Sequence, residues 1–550
     1  MKIEAEIENV KNILVADEKF YQVPDYQRPY SWGKDNLSDL IDDLMSSFTD
    51  NKSENYFCGS LVLVNNELDK RLDIIDGQQR TTTFTILACV IRDLYFSELE
   101  PKAKKYINNS IQDEFEDKKR KLKFLTNDSY QIDFEETVLK GITFSETRNI
   151  EKVFSDNKYL QNAHFLKSFL EDKLDELKID INEFTIWFYE NVVLTVITCP
   201  SQDSAIQIFN VLNDRGMPLS SIDILKSSLM QKLDSKEDRN AFKVKWENIN
   251  SNLKFNDFDL DGMLNTYLYY KVATNPKNRL DKELLNFFAK EGKTSLEIIK
   301  EISEFSISYI ETLNSEDKYT HCLKYLKHKI YWTSILSTAK YTRYKHIKRL
   351  KHSLVAYYYQ NWIAGATVAR IKQTSLNIIK LIKSEAPIED INKELKSNLN
   401  RYSTKKTFEE EVYGRYVYGR KWDRALLLLV EYFSSDLDNP SYIPINNKLH
   451  LEHILPQTLT EEWKEIFDEE EIESWTHSLA NLTLLSMRKN IQAKNNVFKE
   501  KVAAYKNKDN VISSFLVTQY LFGCTKWDVE ELKAREDVLM EKVYEVVDIF

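Results

Sequence analysis

The spacing of hydrophobic residues divides the chain into a mixed N-terminal part and a helical remainder. In the N-terminal part, short apolar runs bounded by polar turns predict strands, and apolar residues three to four positions apart predict helices between them. Beyond this part, the helical spacing continues without a strand-like run until about residue 400. The pattern predicts a helix-rich α+β protein with three domains, which span residues 1–235, 236–404 and 405–550.

The N-terminal part contains the predicted sheet. Its strands are the runs richest in β-branched, aromatic and other apolar residues, at 20–24, 57–64, 72–75 and 192–197. Helices are predicted at 35–45, 81–94, 203–212 and 221–232, and residues 100–190 form a charged helical insertion. Because residues 81–94 are apolar or small nearly all round, we expect that helix to be buried.

Composition favours a helical protein of a reducing compartment. Only 11 Gly and 10 Pro occur in 550 residues, so helix-breaking residues are rare. The five cysteines are scattered and form no C-x-x-C pair, which indicates free thiols. No apolar run is long enough to span a membrane, and the charged N-terminus does not resemble a signal peptide. We therefore expect a cytoplasmic protein with no membrane partner. The sequence leaves open whether it forms a homo-oligomer.

The net charge of −10 speaks against a general nucleic-acid binder, but the charge is unevenly distributed. Residues 318–384 contain fourteen Lys and Arg and no Asp or Glu, so the other residues carry −24. Tyrosines and tryptophans interleave with these cations, a composition that suits phosphate contact and base stacking. Pairing of the basic helices with acidic neighbours in the same protein is the alternative. The candidate DNA-binding residues are Lys345, Lys348, Arg349 and Lys351.

The first candidate site is the turn Asp76-Gly77-Gln78-Gln79-Arg80, which joins an apolar strand to a helix. Gly77 permits an unusual backbone, and the free N–H groups at a helix start suit phosphate. Arg80 can bind phosphate oxygens in a bidentate way, and Asp76 can hold a metal ion or orient water. Gln78 and Gln79 add neutral donors and acceptors. On chemistry alone, a nucleotide site and a polar turn are equally acceptable.

The second candidate site begins at Glu452 and His453. A metal-assisted phosphodiesterase needs a base for water, oxygen ligands for Mg²⁺ or Mn²⁺, and an amide that orients the base. His453 titrates near neutrality and can be the base, whereas Glu452 and Asn490 offer oxygens to a hard cation. Asn481 can orient the imidazole or its loop. A helix cap with buried polar residues is the structural alternative.

Three other features receive no chemical role from the sequence. His450 is interpreted as an exposed neighbour of the second site, and His477 as a residue on a helix surface. The segment 414–421, which reads Gly-Arg-Tyr-Val-Tyr-Gly-Arg-Lys, approaches a P-loop pattern. It has Arg420 and Lys421 where the motif requires Lys and then Ser or Thr, and no buried strand precedes it. We therefore do not predict a P-loop.

Four blocks in one order resemble the ParB/sulfiredoxin-like domain of modification-dependent restriction proteins: 26–32, 57–60, 76–80 and 209–220, the last followed by Asp223 and Lys226. In that family the Asp-Gly-Gln-Gln-Arg segment is associated with nucleotide hydrolysis and with sensing modified DNA. The resemblance implies a nucleoside triphosphate as cofactor. It also implies a nucleotide-binding set of Arg28, Asp76, Gly77, Gln78, Gln79 and Arg80, with Asn213, Arg215 and Lys226 as weaker members.

The C-terminal blocks 452–457, 481–485, Asn490 and 498–501 resemble the HNH (ββα-metal) nuclease domain of the same proteins. The resemblance implies a metal-dependent nuclease with His453, Asn481 and Asn490 as catalytic residues. Glu452 and Asn490 would bind Mg²⁺ or Mn²⁺. The family usually has Gly where this chain has Ala480, and we expect the extra methyl group to shift the loop slightly.

A ParB-like domain followed by an HNH domain is the arrangement of GmrSD-type, type IV restriction enzymes. The resemblance implies an anti-phage protein that cleaves or nicks modified or foreign DNA, such as modified phage DNA, in a nucleoside-triphosphate-dependent reaction. One alternative is a nucleotide-gated nuclease that cuts host DNA or RNA and halts the infected cell. Another is a sensor or adaptor with a degenerate nuclease site, for which Ala480 is the only motivation.

Overall fold

The chain folds into two compact units, Met1–Asp234 and Ser235–Phe550. The computed structural model describes residues 3–24, 27, 30–66, 70–112, 121–124, 134–140, 157–202, 204, 205, 208, 220–486, 495–506 and 515–549. The first unit combines a sheet with helices, and the second is almost entirely helical, so the protein is helix-rich and α+β, as the hydrophobic spacing predicts.

The first unit is built on a six-stranded mixed sheet. Its strands are β1 (Glu4–Asn9), β2 (Tyr21–Val23), β3 (Tyr56–Asn66), β4 (Arg71–Asp76), β5 (Leu122–Phe124) and β6 (Val192–Cys199). Their order across the sheet is β1-β6-β3-β4-β2-β5. Strand β3 is parallel to β6 and antiparallel to β4, and Asp76 at the end of β4 lies opposite Val62. The first candidate site therefore lies beside the middle of β3.

The described part of the first unit also contains two short π-helical turns, Lys11–Val15 and Phe134–Val138, and the helices α1 (Lys34–Asp50), α2 (Gln78–Tyr95), α3 (Pro101–Ile111), α4 (Lys158–Leu177), α5 (Ile181–Asn191) and α6 (Ser221–Gln231). Alternation along β3 sends Leu61 and Leu63 into the main core, and Val62 to a smaller cluster on the other face of the sheet. Helix α2 is buried from Thr81 to Ile91, as its apolar sequence predicts. The predicted helix at 203–212 lies largely outside the described residues.

The second unit is a helical assembly with one pair of strands, β7 (Leu449–His453) and β8 (Leu482–Ser486), which run antiparallel. Its helices are α7 (Lys236–Phe255), α8 (Leu260–Val272), α9 (Leu280–Glu291), α10 (Ser295–Leu313), α11 (Lys318–Lys324), α12 (Lys329–Tyr341), α13 (Ile347–Ile363), α14 (Val368–Lys383), α15 (Ile388–Arg401), α16 (Thr404–Val412), α17 (Asp423–Ser434), α18 (Glu461–Ile466), α19 (Glu469–Trp475), α20 (Phe498–Lys506), α21 (Leu516–Gln519) and α22 (Val529–Val547).

One large core connects the helices of the second unit on both sides of residue 404. It includes Trp332 of α12, Leu428 of α17 and Val543 of α22. The proposed division of this unit near residue 405 stays a prediction. A smaller core lies beneath the strand pair, where the rings of Phe498 and Trp527 stack with centroids 5.3 Å apart. This smaller core packs helix α20 against Ile454 and Leu455, directly after β7, and so it positions the second candidate site.

Two further expectations concern the cysteines and the membrane. All five cysteines are free thiols, and Cys89, Cys199 and Cys322 are buried. Among the residues that the structure describes, none of the helices combines the length and apolarity that a bilayer span requires.

Candidate active site

The turn at Asp76–Arg80 has a backbone that only glycine accommodates at its second position. Strand β4 ends at Asp76, and helix α2 begins at Gln78. Gly77 between them has φ 92° and ψ 1°, in the left-handed region. A Cβ atom at Gly77 would also lie 2.9 Å from Leu61 Cδ1 and 3.1 Å from the Ser60 carbonyl oxygen. Conformation and close packing thus both require glycine, and the strand-to-helix turn predicted from the sequence is present.

A second glycine makes room for Arg80. Gly59 of β3 has φ 99°, and a Cβ atom there would lie only 2.6 Å from Arg80 Nη1. The Arg80 guanidinium instead donates from Nη1 to the Ser60 carbonyl oxygen at 2.7 Å. The Ser60 hydroxyl donates to Asp76 Oδ2 at 3.1 Å. These contacts bring together two blocks of the sequence, Phe57–Ser60 and Asp76–Arg80, around one half-buried guanidinium.

Gln79 joins a third block to the turn. Its Oε1 accepts hydrogen bonds from the backbone N–H groups of Ser31 at 2.9 Å and Trp32 at 3.1 Å. Its Nε2 is buried and has no hydrogen-bond partner among the described residues. Gln78, the first residue of α2, is also buried, with 6% of its surface exposed. The Gln79 side chain therefore positions the chain before α1 through Oε1, and its Nε2 can still donate a hydrogen bond.

The remaining members of the predicted nucleotide set are placed only in part. Lys226 lies half-buried on helix α6 of the same unit. Arg28, Asn213 and Arg215 lie outside the described residues. The described contacts thus assemble the turn itself with β3 and the segment before α1. Nucleotide binding by these residues stays a prediction.

The second candidate site is centred on His453, at the end of β7. His453 pairs with Leu482 across the strands, so residues just before β8 lie beside it. The imidazole Nε2 lies 3.1 Å from His477 Nδ1, and the amide Nε2 of Gln457 lies 3.1 Å from His453 Nδ1. The Tyr418 ring covers one side, with ring centroids 4.3 Å apart. His453 is 6% exposed.

The surroundings of His453 favour its neutral form. Burial, together with the neighbouring charges of His477 and Lys501, lowers the pKa of His453 to about 3. The hydrogen bonds match a tautomer in which Nε2–H donates to His477 and Nδ1 accepts from Gln457. An imidazole of this kind carries no proton on Nδ1 at neutral pH. That nitrogen can accept a proton, but its pKa lies far below the near-neutral value that the sequence predicts, so His453 is a weaker base than expected.

Glu452 forms a buried ion pair. Lys501 Nζ of helix α20 lies 2.8 Å from Glu452 Oε1 and donates to the His453 carbonyl oxygen at 2.5 Å. Lys501 is 1% exposed, and the Glu452 side chain is 12% exposed. Burial raises the pKa of Glu452 and lowers the pKa of Lys501, and their mutual attraction offsets these shifts only in part. The carboxylate predicted to bind a metal ion thus also fixes α20 to β7.

Asn481 orients a loop rather than the imidazole. Its Oδ1 accepts from the backbone N–H of Leu455 at 2.7 Å, and its Nδ2 donates to the carbonyl oxygens of Leu455 and Thr476. Trp527 Nε1 donates to the same Oδ1 at 3.3 Å. Asn481 is fully buried. Of the two roles that the sequence allows, the described contacts therefore favour positioning of the residues that follow His453.

Ala480 fits its position without strain. It lies in a short 3₁₀ turn, Leu479–Asn481, and is not among the described residues with positive φ. Its methyl group is fully buried in the small core, and its carbonyl oxygen accepts from Arg535 Nη1 at 2.5 Å. The local backbone suits any residue, so we find no strain that would shift the loop.

Metal ligands at this site are described only in part. Among the described residues, no three His, Cys, Asp or Glu side chains gather as a metal-binding group. Asn490, the second predicted ligand and a predicted catalytic residue, lies outside the described residues. The donor chemistry of Glu452 and His453 is suitable for a divalent cation. The metal assignment to Glu452 and Asn490 stays a prediction.

The predicted DNA-binding lysines and arginines separate into two groups. Lys345, two residues before helix α13, and Lys348, in its first turn, are exposed. Arg349 Nη1 instead lies 2.9 Å from Glu389 Oε1, and Lys351 Nζ lies 2.5 Å from Asp317 Oδ2. Pairing within the protein thus applies to Arg349 and Lys351, and DNA contact by Lys345 and Lys348 stays a prediction. The expected base stacking by the interleaved aromatic residues is wrong for the four that pack in the core: Tyr331, Trp332, Tyr344 and Tyr357.

His477 and Tyr418 are the neighbours of His453 that the sequence interpretation missed. The interpretation of His477 as a helix-surface residue is wrong. His477 lies between α19 and the 3₁₀ turn and contacts the His453 imidazole directly. The sequence position of His477, shortly before Asn481, could have predicted this contact. Pairing of β7 with β8 brings the residues before 482 next to His453. No local sequence pattern predicts that Tyr418 lies beside His453.

Two family models match the chain, one in each unit. A family model described as the GmrSD restriction endonuclease N-terminal domain matches residues 10–230, and one described as the GmrSD C-terminal domain matches residues 392–542. The class of protein is thus a restriction endonuclease, a nuclease whose substrate is DNA and whose class generally uses a divalent metal ion. The chain belongs to the GmrSD restriction endonuclease family. No curated protein matches it.

Proposed function

We propose that this restriction endonuclease protects bacteria from phage by cleaving modified or foreign DNA at a metal-dependent HNH site, under control of a nucleoside triphosphate. The observation that carries the proposal is the strand–strand–helix group of β7, β8 and α20. It holds a neutral imidazole, His453, beside the buried Glu452–Lys501 pair. Cleavage of a phosphodiester needs these two elements, a base for water and a polar support for a cation.

In the proposed reaction, Nδ1 of His453 takes the proton of the attacking water. Gln457 now donates to that nitrogen and is exposed, so its side chain can leave room for water. His477 accepts from Nε2–H and fixes the tautomer and the ring orientation. A divalent cation, held by Glu452 and Asn490, would stabilise the negative charge that develops on the phosphate. Asn481 maintains the loop that carries Gln457.

The proposed nucleotide site is the Asp76–Arg80 turn of the first unit. Three features support it: the start of the eighteen-residue helix α2, the left-handed Gly77 and the guanidinium of Arg80. The N–H groups at a helix start favour phosphate, and Arg80 uses Nη1 for Ser60 while its other donors can face a ligand. Gln79 Nε2 adds a buried donor without a partner among the described residues.

Digestion of a DNA panel tests the proposal. Unmodified, methylated, glucosylated and phosphorothioated phage DNAs are incubated with the full-length protein and Mg²⁺, with and without each nucleoside triphosphate. We expect cleavage of at least one modified DNA and a strong increase with one nucleotide. Intact DNA under every condition contradicts the proposal. Cleavage of unmodified DNA or RNA, once a nucleotide is added, would instead favour the nucleotide-gated nuclease of host nucleic acid.

A further inference from the structure

The segment 414–421, between helices α16 and α17, forms a fixed loop directly against His453, and we call it the tyrosine loop. The backbone N–H groups of Val417 and Tyr418 both donate to the His477 carbonyl oxygen, at 2.9 and 3.1 Å. Gly419 has φ 84°, and its N–H donates to Asp423 Oδ2 at 3.0 Å. The loop is therefore anchored to the same residue that orients the imidazole.

Two tyrosines of this loop present their rings to solvent beside the site. Val417 is fully buried, whereas its neighbours Tyr416 and Tyr418 are 57% and 42% exposed. The Tyr416 ring is stacked on His477 with centroids 6.1 Å apart, and Tyr418 is stacked on His477 at 5.6 Å. Tyr418 also reaches the His453 ring. Tyr416, Tyr418 and His477 thus form one aromatic group beside the proposed base, and both tyrosines remain partly exposed.

The loop that carries the two exposed rings also carries three cationic side chains. Arg415, Arg420 and Lys421 are all exposed in the loop. Arg415 lies 3.6 Å from Glu473, and Arg420 lies 3.0 Å from Glu411, in ion pairs whose side chains are about one third to two thirds exposed. Surface pairs of this kind contribute little and exchange readily for a phosphate. Their positive charge complements a nucleic-acid backbone.

We propose that the tyrosine loop binds unpaired nucleotides next to the scissile phosphate, with bases stacked on the exposed sides of Tyr416 and Tyr418 and the flanking phosphates on Arg415, Arg420 and Lys421. The inference rests on the proposed nuclease function and specifies its substrate. Bases of an intact duplex are stacked on one another, so a base reaches these rings only where the strand is single or locally opened. The substrate class is therefore single-stranded or locally unpaired nucleic acid.

Binding of a fluorescein-labelled single-stranded oligonucleotide to the full-length protein tests the inference. A chelator removes divalent metal, so affinity is measured without cleavage. Replacing either ring, as in Tyr416→Leu or Tyr418→Leu, should weaken binding by about tenfold, since base stacking on one aromatic ring contributes a factor of this order. The Phe variants should stay within about twofold of wild type because they keep the ring. Tyr402→Leu, a tyrosine 39% exposed outside the loop, should bind as wild type does.

Three results overturn the inference. If the Leu variants bind the oligonucleotide as wild type does, stacking is excluded. If the Phe variants lose as much affinity as the Leu variants, the contact is a hydrogen bond of the phenol group. If Tyr402→Leu loses an equal amount of affinity, the effect is general. Tyr416→Leu should disturb folding less than Tyr418→Leu, because the Tyr416 ring is mostly outside the core. Removing Arg415 and Lys421 together should flatten the salt dependence by about 0.7 per lost phosphate contact. Affinity is read without catalysis, so a protein that binds this way but never cuts would refute the proposed nuclease activity alone.

Discussion

Replacing Lys501 by methionine should destabilise the second unit strongly. Lys501 Nζ is 1% exposed and has two contacts, with Glu452 Oε1 and with the His453 carbonyl oxygen. Methionine fills a similar volume but leaves the Glu452 carboxylate buried without its counter-charge. Removing one partner of a buried pair in this way costs about 3–5 kcal/mol. We expect a loss of that order in the free energy of unfolding.

Removing both charges should cost much less than removing the lysine alone. In Glu452→Gln with Lys501→Met, no buried charge remains, and the loss reduces to the hydrogen bonds that the lysine made. Such bonds contribute about 1 kcal/mol each, so we expect a loss of about 1–2 kcal/mol. The double variant should therefore be more stable than Lys501→Met by at least about 1 kcal/mol.

Urea unfolding followed by tryptophan fluorescence measures these values, since Trp463 and Trp527 lie in the small core beneath the pair. Lys533→Met is the matched control, because Lys533 is an exposed lysine of helix α22. It should change the unfolding free energy by less than about 0.5 kcal/mol. If the double variant loses as much as the sum of the two single variants, Glu452 and Lys501 are not coupled and the reasoning fails.

Three further predictions follow from other contacts. Gly59→Ala should displace Arg80, because the new Cβ atom would lie 2.6 Å from Arg80 Nη1. We expect nucleotide binding to weaken by at least about tenfold. Unchanged affinity in isothermal titration calorimetry would contradict this. Reversing Lys345 and Lys348 to Glu should flatten the salt dependence of DNA binding, and an unchanged slope would remove them from the DNA surface. Asp317→Asn should lower the thermal midpoint above about pH 5, and the difference should shrink below about pH 4; a difference independent of pH would refute that.

The sign of the pH prediction follows from the pKa of Asp317. Burial alone would raise this pKa, but the hydrogen bonds and the charge of Lys351, with Thr320, lower it below its usual value. A lowered carboxyl pKa contributes stability above the pKa of the unfolded chain, and this stability is lost as the pH falls through the folded value. Asn keeps the acceptor Oδ1 that caps helix α11, and it removes the charge together with the bonds that Oδ2 accepts from Lys351 and the Thr320 hydroxyl.

Features that depend on short stretches of chain could be predicted from the sequence. The apolar runs at 57–64 and 72–75 are the central strands β3 and β4, because alternation and turn residues are local signals. The turn at Gly77 was predictable for the same reason, since a strand and a helix meet there. The closeness of Glu452 and His453 was also predictable, because the two residues are adjacent, whereas their roles as metal ligand and base stay predictions.

Contacts between distant segments could not be predicted in the same way. His477 meets His453 only because β7 and β8 pair in a particular register, and Tyr418 arrives from a loop 35 residues away from the histidine it covers. The aromatic residues between the basic helices were misread for a related reason. Trp332 and Tyr357 lie on helix faces that pack in the core, and cation–aromatic spacing alone does not reveal which face is buried.

The central claim is that His453 is the base of a DNA-cleaving site. The most direct measurement compares His453→Ala with His450→Ala, the same substitution three residues earlier on strand β7, in single-turnover cleavage of modified phage DNA with Mg²⁺ and a nucleoside triphosphate. The account predicts that His453→Ala lowers the rate by about 10²–10⁴-fold, whereas His450→Ala cleaves at nearly the wild-type rate. Equal rates for His453→Ala and wild type would contradict it.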